Sequence, residues 1–262
     1  MAQKIPEETV QTNEIIDRET AMDYSFPMRL HRFFVDADLS RSSLKITDPE
    51  LLHQWSKVLR LQEEDRVTLC DGNAMEAIGT LQSIDHDHAT VALASLTPVA
   101  AEPKKYVTLY CSILKRENFE WIVQKCIEIG VKVIVPIITA RTIKTGLKID
   151  RLRTIAKEAA EQSGRGIIPK ISEPIDFISA LSEAKNSTNI FFHTAADALP
   201  TPNPLPPTPY LNIWIGPEGG WTEKEVQEAT NNGFHIASLG MLTLRAETAA
   251  VIGSYRAVEG IL

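Results

Sequence analysis

Two stretches near the end of the chain carry the residues whose types and order could do chemistry. The first is Ile213-Trp214-Ile215-Gly216-Pro217-Glu218-Gly219-Gly220-Trp221-Thr222; the second is Leu239-Gly240-Met241-Leu242-Thr243-Leu244-Arg245-Ala246-Glu247-Thr248-Ala249. Each is an apolar run that ends in glycine and leads into a predicted helix. The three glycines of the first turn can take backbone angles closed to other residues and let a ligand approach the main chain, while Pro217 fixes φ and removes a donor. Thr222 and Glu225 form a Thr-x-x-Glu capping box, which starts a helix at once. A strand, a glycine turn and a helix N-terminus together make a cradle of backbone N–H groups. A tight turn with no ligand is the alternative for one such loop; two in succession favour a site. Neither stretch is a Gly-Lys-Ser/Thr phosphate loop or a dinucleotide Gly-x-Gly-x-x-Gly fingerprint.

The elements that must hold these turns alternate strand and helix, the pattern of a parallel sheet in an α/β fold. Strands are predicted at Tyr106 to Cys111, Val133 to Ile137, Asn189 to His193, Tyr210 to Ile215 and His235 to Leu239. Helices are predicted at Arg116 to Ile129, Asp150 to Ser163, Asp176 to Ala184, Thr222 to Asn231 and Ala246 to Gly260. In the first helix Trp121, Ile122, Cys126 and Ile129 share the inward face and Gly130 is the stop. Ala246, Ala250, Gly253 and Ala257 put a stripe of small residues along the closing helix, which suits close packing on a neighbouring subunit or on the chain's own sheet. The segment of residues 195–209 is proline-rich and is read as an extended spacer.

Before this region lies a Pro/Ala linker, Thr97-Pro98 to Pro103-Lys104-Lys105, taken as a domain boundary. Residues 28–98 read as short β-rich runs with tight turns, among them Asp71-Gly72-Asn73, around a helix from Pro49 to Leu59 with Leu51, Leu52, Trp55, Val58 and Leu59 on one face. That pattern suggests a small β-barrel. Residues 1–27 are polar and acidic and are read as a flexible tail, either a true extension or an overlong start.

The formal charge is −7, which argues against a nucleic-acid partner if taken alone. Residues 1–27 hold six carboxylates against two cations, so the rest of the chain carries only −3 and can still present a basic face. Cys70, Cys111 and Cys126 are odd in number, widely spaced and set in apolar surroundings, which suggests neither disulfides nor zinc and fits a reducing, cytoplasmic setting. The six histidines are scattered and no metal-ligand spacing is visible. No apolar run approaches a membrane span.

The Ile-Gly-Pro-Glu-Gly-Gly turn followed by Leu-Gly-x-Leu-x-Leu-Arg-Ala-Glu-Thr-Ala resembles the signature of the RsmE family, SPOUT-superfamily methyltransferases that modify N3 of a uridine in 16S ribosomal RNA. The likeness extends through Met28-Arg29-Leu30-His31-Arg32-Phe33-Phe34-Val35, His53-Gln54-Trp55-Ser56-Lys57-Val58-Leu59-Arg60, Lys115-Arg116, Glu128-Ile129-Gly130, Pro136 with Arg141, and Glu158 to Arg165. Thr142 stands where serine is common. The resemblance implies a PUA-like RNA-binding barrel over residues 28–98 and a SPOUT domain with a C-terminal trefoil knot over residues 104–262. It implies S-adenosyl-L-methionine held by Ile215, Gly216, Pro217, Gly219, Gly220, Leu239, Gly240, Leu242 and Leu244. It implies rRNA contacts from Arg29, Arg32, His53, Lys57, Arg60, Arg141 and Arg165, and a homodimer through the closing helix, the resemblance deciding between the two readings of the small-residue stripe.

Methylation at N3 of uridine requires loss of the N3 proton, because the neutral imide is a poor nucleophile. Glu218, on the glycine turn, is the candidate base; Arg245 is the candidate stabiliser of charge on O2 and O4, or a phosphate anchor. The alternative for both is an ion pair or cap that shapes the turns. Glu247 reads as a first-turn carboxylate suited to the helix dipole. Two other readings compete: ribose 2′-O-methylation on the same fold, disfavoured by Phe33-Phe34-Val35, and an RNA-binding assembly factor without chemistry, disfavoured by the intact glycine set.

Overall fold

The computed structural model describes residues 30–143, 146–194 and 208–261. The tail of residues 1–27 and Arg29 lie outside them, as does most of the proline-rich segment. Two sheets organise the described chain.

The first contains β1 (His31–Phe34), β2 (Ser43–Ile46), β3 (Arg66–Cys70), β4 (Met75–Ile84), β5 (Ala89–Leu93) and β6 (Thr97–Pro98), with α1 (Pro49–His53) between β2 and β3. The strand order is β1-β3-β4-β5-β2, with β6 beside β4. The turn of residues 71–74 joins β3 to β4, Gly72 at φ +77° and the Asp71 carboxylate accepting from the N–H groups of Asn73 and Met75. One pairing departs from a simple run of hairpins: β1 lies parallel to β3. Among the described residues no pairing joins β1 to β2, so the strands curl without closing a full ring. The opening is filled from α1. Asp48 caps that helix through Glu50 and Leu51, and Leu51, Leu52 and Trp55 reach the core beside Phe33, Val67 and Leu69. From Gln54 to Leu59 the helix widens to a π-type turn, which ends on Arg60 at φ +56°. The wider turn rotates Val58 out to 65 % exposure, against its predicted place on the inward face.

The second sheet is wholly parallel. Its strands are β7 (Tyr106–Ser112), β8 (Val133–Ile138), β9 (Lys170–Ile171), β10 (Ile175–Asp176), β11 (Thr188–Phe192), β12 (Tyr210–Ile215) and β13 (His235–Ala237), in the order β10-β8-β7-β12-β11-β13 with β9 on β8. Both faces are covered, as a parallel sheet requires. On one face α2 (Arg116–Ile129), α3 (Ile149–Ser163) and α6 (Ala246–Glu259) enclose an aliphatic core. On the other, α4 (Phe177–Glu183) and α5 (Glu223–Asn231) cover an aromatic layer in which Tyr110 stacks on Trp214 at 4.2 Å and Phe191 tilts on Trp221 at 4.3 Å.

Two sequence expectations need correction here. Trp121 is 42 % exposed; the inward face of α2 is Phe119, Ile122, Val123, Cys126 and Ile127. The small-residue stripe of α6 packs on its own chain: Ala250 and Ala257 are fully buried, and a Cβ on Gly253 would sit 2.9 Å from the Phe192 ring. The stripe exists because α6 lies close against α2 and the sheet, so it gives no argument for a neighbour.

Candidate functional site

In the second sheet β7 leads through α2 to β8 on one side and its neighbour β12 leads through α5 to β13 on the other, which makes the β7/β12 border the switch point where such folds open a crevice at the strand C-termini. A cavity of about 1040 Å³ lies there. Its walls are the segments that leave five strands: Ile113 to Lys115 after β7, Arg141 and Ile143 after β8, Phe192 to Thr194 after β11, Ile215 to Trp221 after β12 and Ser238 to Ala246 after β13.

All nine residues expected to hold a cofactor, Ile215, Gly216, Pro217, Gly219, Gly220, Leu239, Gly240, Leu242 and Leu244, line this one cavity, with Glu218 and Arg245 beside them. The glycines are needed for different reasons. A Cβ on Gly216 would lie 2.9 Å from Trp221 Cε2, so this glycine lets the indole pass beneath the turn, where Trp221 Nε1 donates to the Phe192 carbonyl at 2.9 Å. Gly240 has open space around it but φ of +137°, which only glycine adopts without strain. Glu218 and Arg245 are exposed to the cavity and form neither an ion pair nor a cap among the described residues; Arg245 is at the N-cap of α6 without a side-chain bond to it.

Arg141, expected on the RNA side, is part of the cavity wall. Its Nη1 donates to the carbonyls of Gly219 (2.6 Å) and Trp221 (3.2 Å). The loop that carries it is tied to α5 by Glu225, a buried carboxylate. One oxygen accepts from Ala140 N–H at 2.9 Å; the other accepts from the N–H and hydroxyl of Thr222, both at 2.8 Å. The capping box was legible in the sequence, the bond to Ala140 was not. His193 was also unforeseen as a wall residue: burial pushes its pKa down, and its Nδ1 accepts from Thr194 N–H, which leaves the proton of the neutral ring on Nε2.

The remaining cations divide. His53, Lys57 and Arg60 are exposed on the α1 segment with no ion-pair partner among the described residues. Arg32 is mostly buried, paired with Glu76 and donating to Cys70 Sγ, so only a sliver of it faces solvent. Arg165 must be withdrawn as an RNA contact. Its side chain is 3 % exposed, its Nη1 donates to the carbonyls of Val131 (2.6 Å) and Ile127 (3.2 Å), and it pairs with Glu102 at 3.4 Å. Glu102 also binds Lys132 at 3.2 Å and accepts from the N–H groups of Gly166 and Ile167. Arg165 therefore closes the linker onto the second sheet.

Residues 101–255 match the model of an RNA methyltransferase domain, and residues 57–94 match that of an RNA methyltransferase PUA domain. The chain is 30 % identical over 243 residues to the ribosomal RNA small subunit methyltransferase E of Synechocystis, covering 87 % of this chain and 77 % of that one. The chain belongs to the ribosomal RNA small subunit methyltransferase E family. A second member, from Bacillus subtilis, is 29 % identical, with 84 % of this chain and 93 % of the relative covered. The crystal structure of the family member from Neisseria gonorrhoeae, bound to S-adenosyl methionine, superposes with a TM-score of 0.80 at 27 % identity, covering 87 % and 97 % of the two chains. A Legionella pneumophila protein crystallised with the same cofactor gives 0.78 at 28 %, covering 86 % and 96 %. Among the described residues no helix is long and apolar enough to cross a membrane, and no three metal-binding side chains cluster.

Proposed function

We propose that this protein transfers the methyl group of S-adenosylmethionine to N3 of a uridine in the 16S rRNA of the small ribosomal subunit, acting in the cytoplasm as a homodimer. The observation that carries this reading is the meeting of both glycine turns with unpaired Glu218 and Arg245 in one cavity. The cavity fits the cofactor: at about 1040 Å³ it is at the upper end of the roughly 300–1,000 Å³ of small-ligand sites, which leaves room for a flipped base as well. Backbone groups of the turns at residues 215–220 and 239–244 would hold the adenosine, a neutral ligand surface that calls for close main-chain approach more than for charge.

S-adenosylmethionine, when bound, supplies a methyl carbon activated by its sulfonium. Glu218 accepts the N3 proton as the nitrogen takes up the methyl group, so the uracil ring begins and ends neutral. Arg245 stabilises the charge that grows on O2 and O4 in between. The apolar wall of Ile215, Leu239 and Leu244 excludes water and strengthens both effects.

The division into a PUA-like unit of residues 28–98 and a SPOUT unit of residues 104–262, with the C-terminal segment threaded as a trefoil knot, is part of the same proposal. So is rRNA binding through Arg29, Arg32, His53, Lys57 and Arg60. Dimerisation is supported by a different feature from the small-residue stripe: Trp121 on α2 and Ile252 and Tyr255 on α6, two helices packed together, expose large apolar groups outward. The test is incubation of small subunits from a strain lacking the enzyme with isotopically labelled cofactor, followed by nucleoside mass spectrometry. N3-methyluridine in 16S rRNA is expected; label in ribose, or none with folded protein that binds the cofactor, refutes the reading.

A further inference from the structure

We infer that Glu225 is a positioning residue for methyl transfer, holding Arg141 at the wall of the cavity; the inference rests on the function proposed above. A capping box needs one carboxylate oxygen, and Glu225 supplies it to Thr222. The second oxygen reaches a different element, Ala140 N–H in the loop after β8, 85 residues away in sequence. At 6 % exposure the carboxylate has little water to satisfy it, so both bonds are required. Ala140 immediately precedes Arg141, and Arg141 Nη1 returns to the carbonyls of Gly219 and Trp221, the residues that lead into Thr222. The bonds close a ring through the β8 loop, the glycine turn and the start of α5.

The far side of the loop is fixed as well. The Thr142 hydroxyl accepts from Thr139 N–H at 2.9 Å and lies 3.1 Å from the Ser112 hydroxyl at the end of β7. A long side chain that would otherwise sample many rotamers is thereby held by its backbone at both ends and by one of its own nitrogens. Nε and Nη2 of Arg141 have no partner among the described residues. They remain free for a carbonyl oxygen of the target pyrimidine, a contact that gains strength as the ring becomes anionic. Arg141 would then act beside Arg245, and Glu225 acts through Arg141 without touching substrate.

Glu225→Gln is the informative change. It keeps the shape of the side chain, but an amide has one acceptor oxygen and cannot serve both Thr222 and Ala140. The expected result is a fall in kcat of about tenfold or more, with the cofactor dissociation constant and the KM for small subunits within about threefold. Arg141→Ala should show the same split, and the double variant should be no worse than Arg141→Ala alone. Independently of activity, Arg141 Nη resonances, resolved in the wild type by restricted rotation, should broaden in Glu225→Gln. Wild-type kcat in Glu225→Gln, losses that multiply in the double variant, or an unchanged Arg141 spectrum would each overturn the assignment. A wild-type protein that methylates no subunit refutes the proposed function instead, while the Arg141 spectrum still decides the positioning role.

Discussion

Removing the Glu102 carboxylate tests how the linker is locked. In Glu102→Ala, Arg165 keeps its charge at 3 % exposure with only two carbonyls to face, and the N–H groups of Gly166 and Ile167 lose their acceptor. Breaking a buried ion pair from one side costs about 3–5 kcal/mol, because the remaining charge is uncompensated. For a chain of this size each kcal/mol lowers Tm by roughly 2–4 °C, so a fall on the order of 6–20 °C is expected in a calorimetric or circular-dichroism melt. A loss below about 1 kcal/mol would show that Arg165 is hydrated and the argument wrong. The pH dependence follows the same logic. Burial pushes the Glu102 carboxyl up, but Arg165 and Lys132 outweigh it and hold its pKa below the ordinary glutamate value. The native state thus prefers the ionised form. Its contribution is complete above about pH 4.3, the unfolded value, and is lost as pH falls through the lowered native one. The gap in stability between wild type and variant should therefore narrow only in acid.

Glu218→Gln and Arg245→Ala should each lower kcat by about 10²- to 10⁴-fold in the labelled-methyl assay, with unfolding free energies within about 0.5 kcal/mol of wild type, because both side chains are exposed and unpaired. Gly216→Ala should cost about 1–3 kcal/mol in urea unfolding through the clash with Trp221, whereas Gly240→Ala should cost about 1–3 kcal/mol through backbone strain in open space. A larger side chain at residue 240 adds little to that strain, while one at residue 216 adds much. Lys57→Glu and Arg60→Glu should weaken binding to small subunits and reduce the salt slope by about one for each lost phosphate contact, leaving cofactor affinity unchanged in calorimetry.

Much of the fold was legible because local signals and tertiary structure agree. The helices at residues 116–129, 149–163, 223–231 and 246–259 begin and end within about a residue of the positions read from capping boxes, glycine stops and periodicity. The two glycine turns share a cavity because each follows a strand of one parallel sheet. What was not legible depends on partners far away in sequence. Arg165 sits in a polar stretch, Glu161-Gln162-Ser163-Gly164-Arg165, that reads as surface; Glu102, 63 residues earlier, buries it. Gly216 looks like a ligand-contact glycine, but the Trp221 indole sets its requirement. The stripe on α6 is a property of close packing and does not say on what. The π-type turn at Gln54–Leu59 has no periodicity that distinguishes it from an α-helix over so short a span.

The seam between the two sheets bears on how substrate is met. Phe34 N–H, at the end of β1, donates to Glu161 on α3 at 3.1 Å; Ala74 N–H donates to the Gly166 carbonyl at 3.0 Å, and Val99 N–H to the Ala74 carbonyl at 2.8 Å. Val99 packs so closely on Gly166 that a Cβ there would collide with it, and the Glu102 cluster fastens the same corner. The Ala74 main-chain bond, the bond from Phe34 N–H to Glu161 and the Val99–Gly166 contact tie the two sheets at this corner. In the function proposed above, an RNA held by the cations after α1 reaches the cavity across this tied corner. A seam tied at these points gives scattering profiles of the protein that should stay the same whether or not the cofactor is bound.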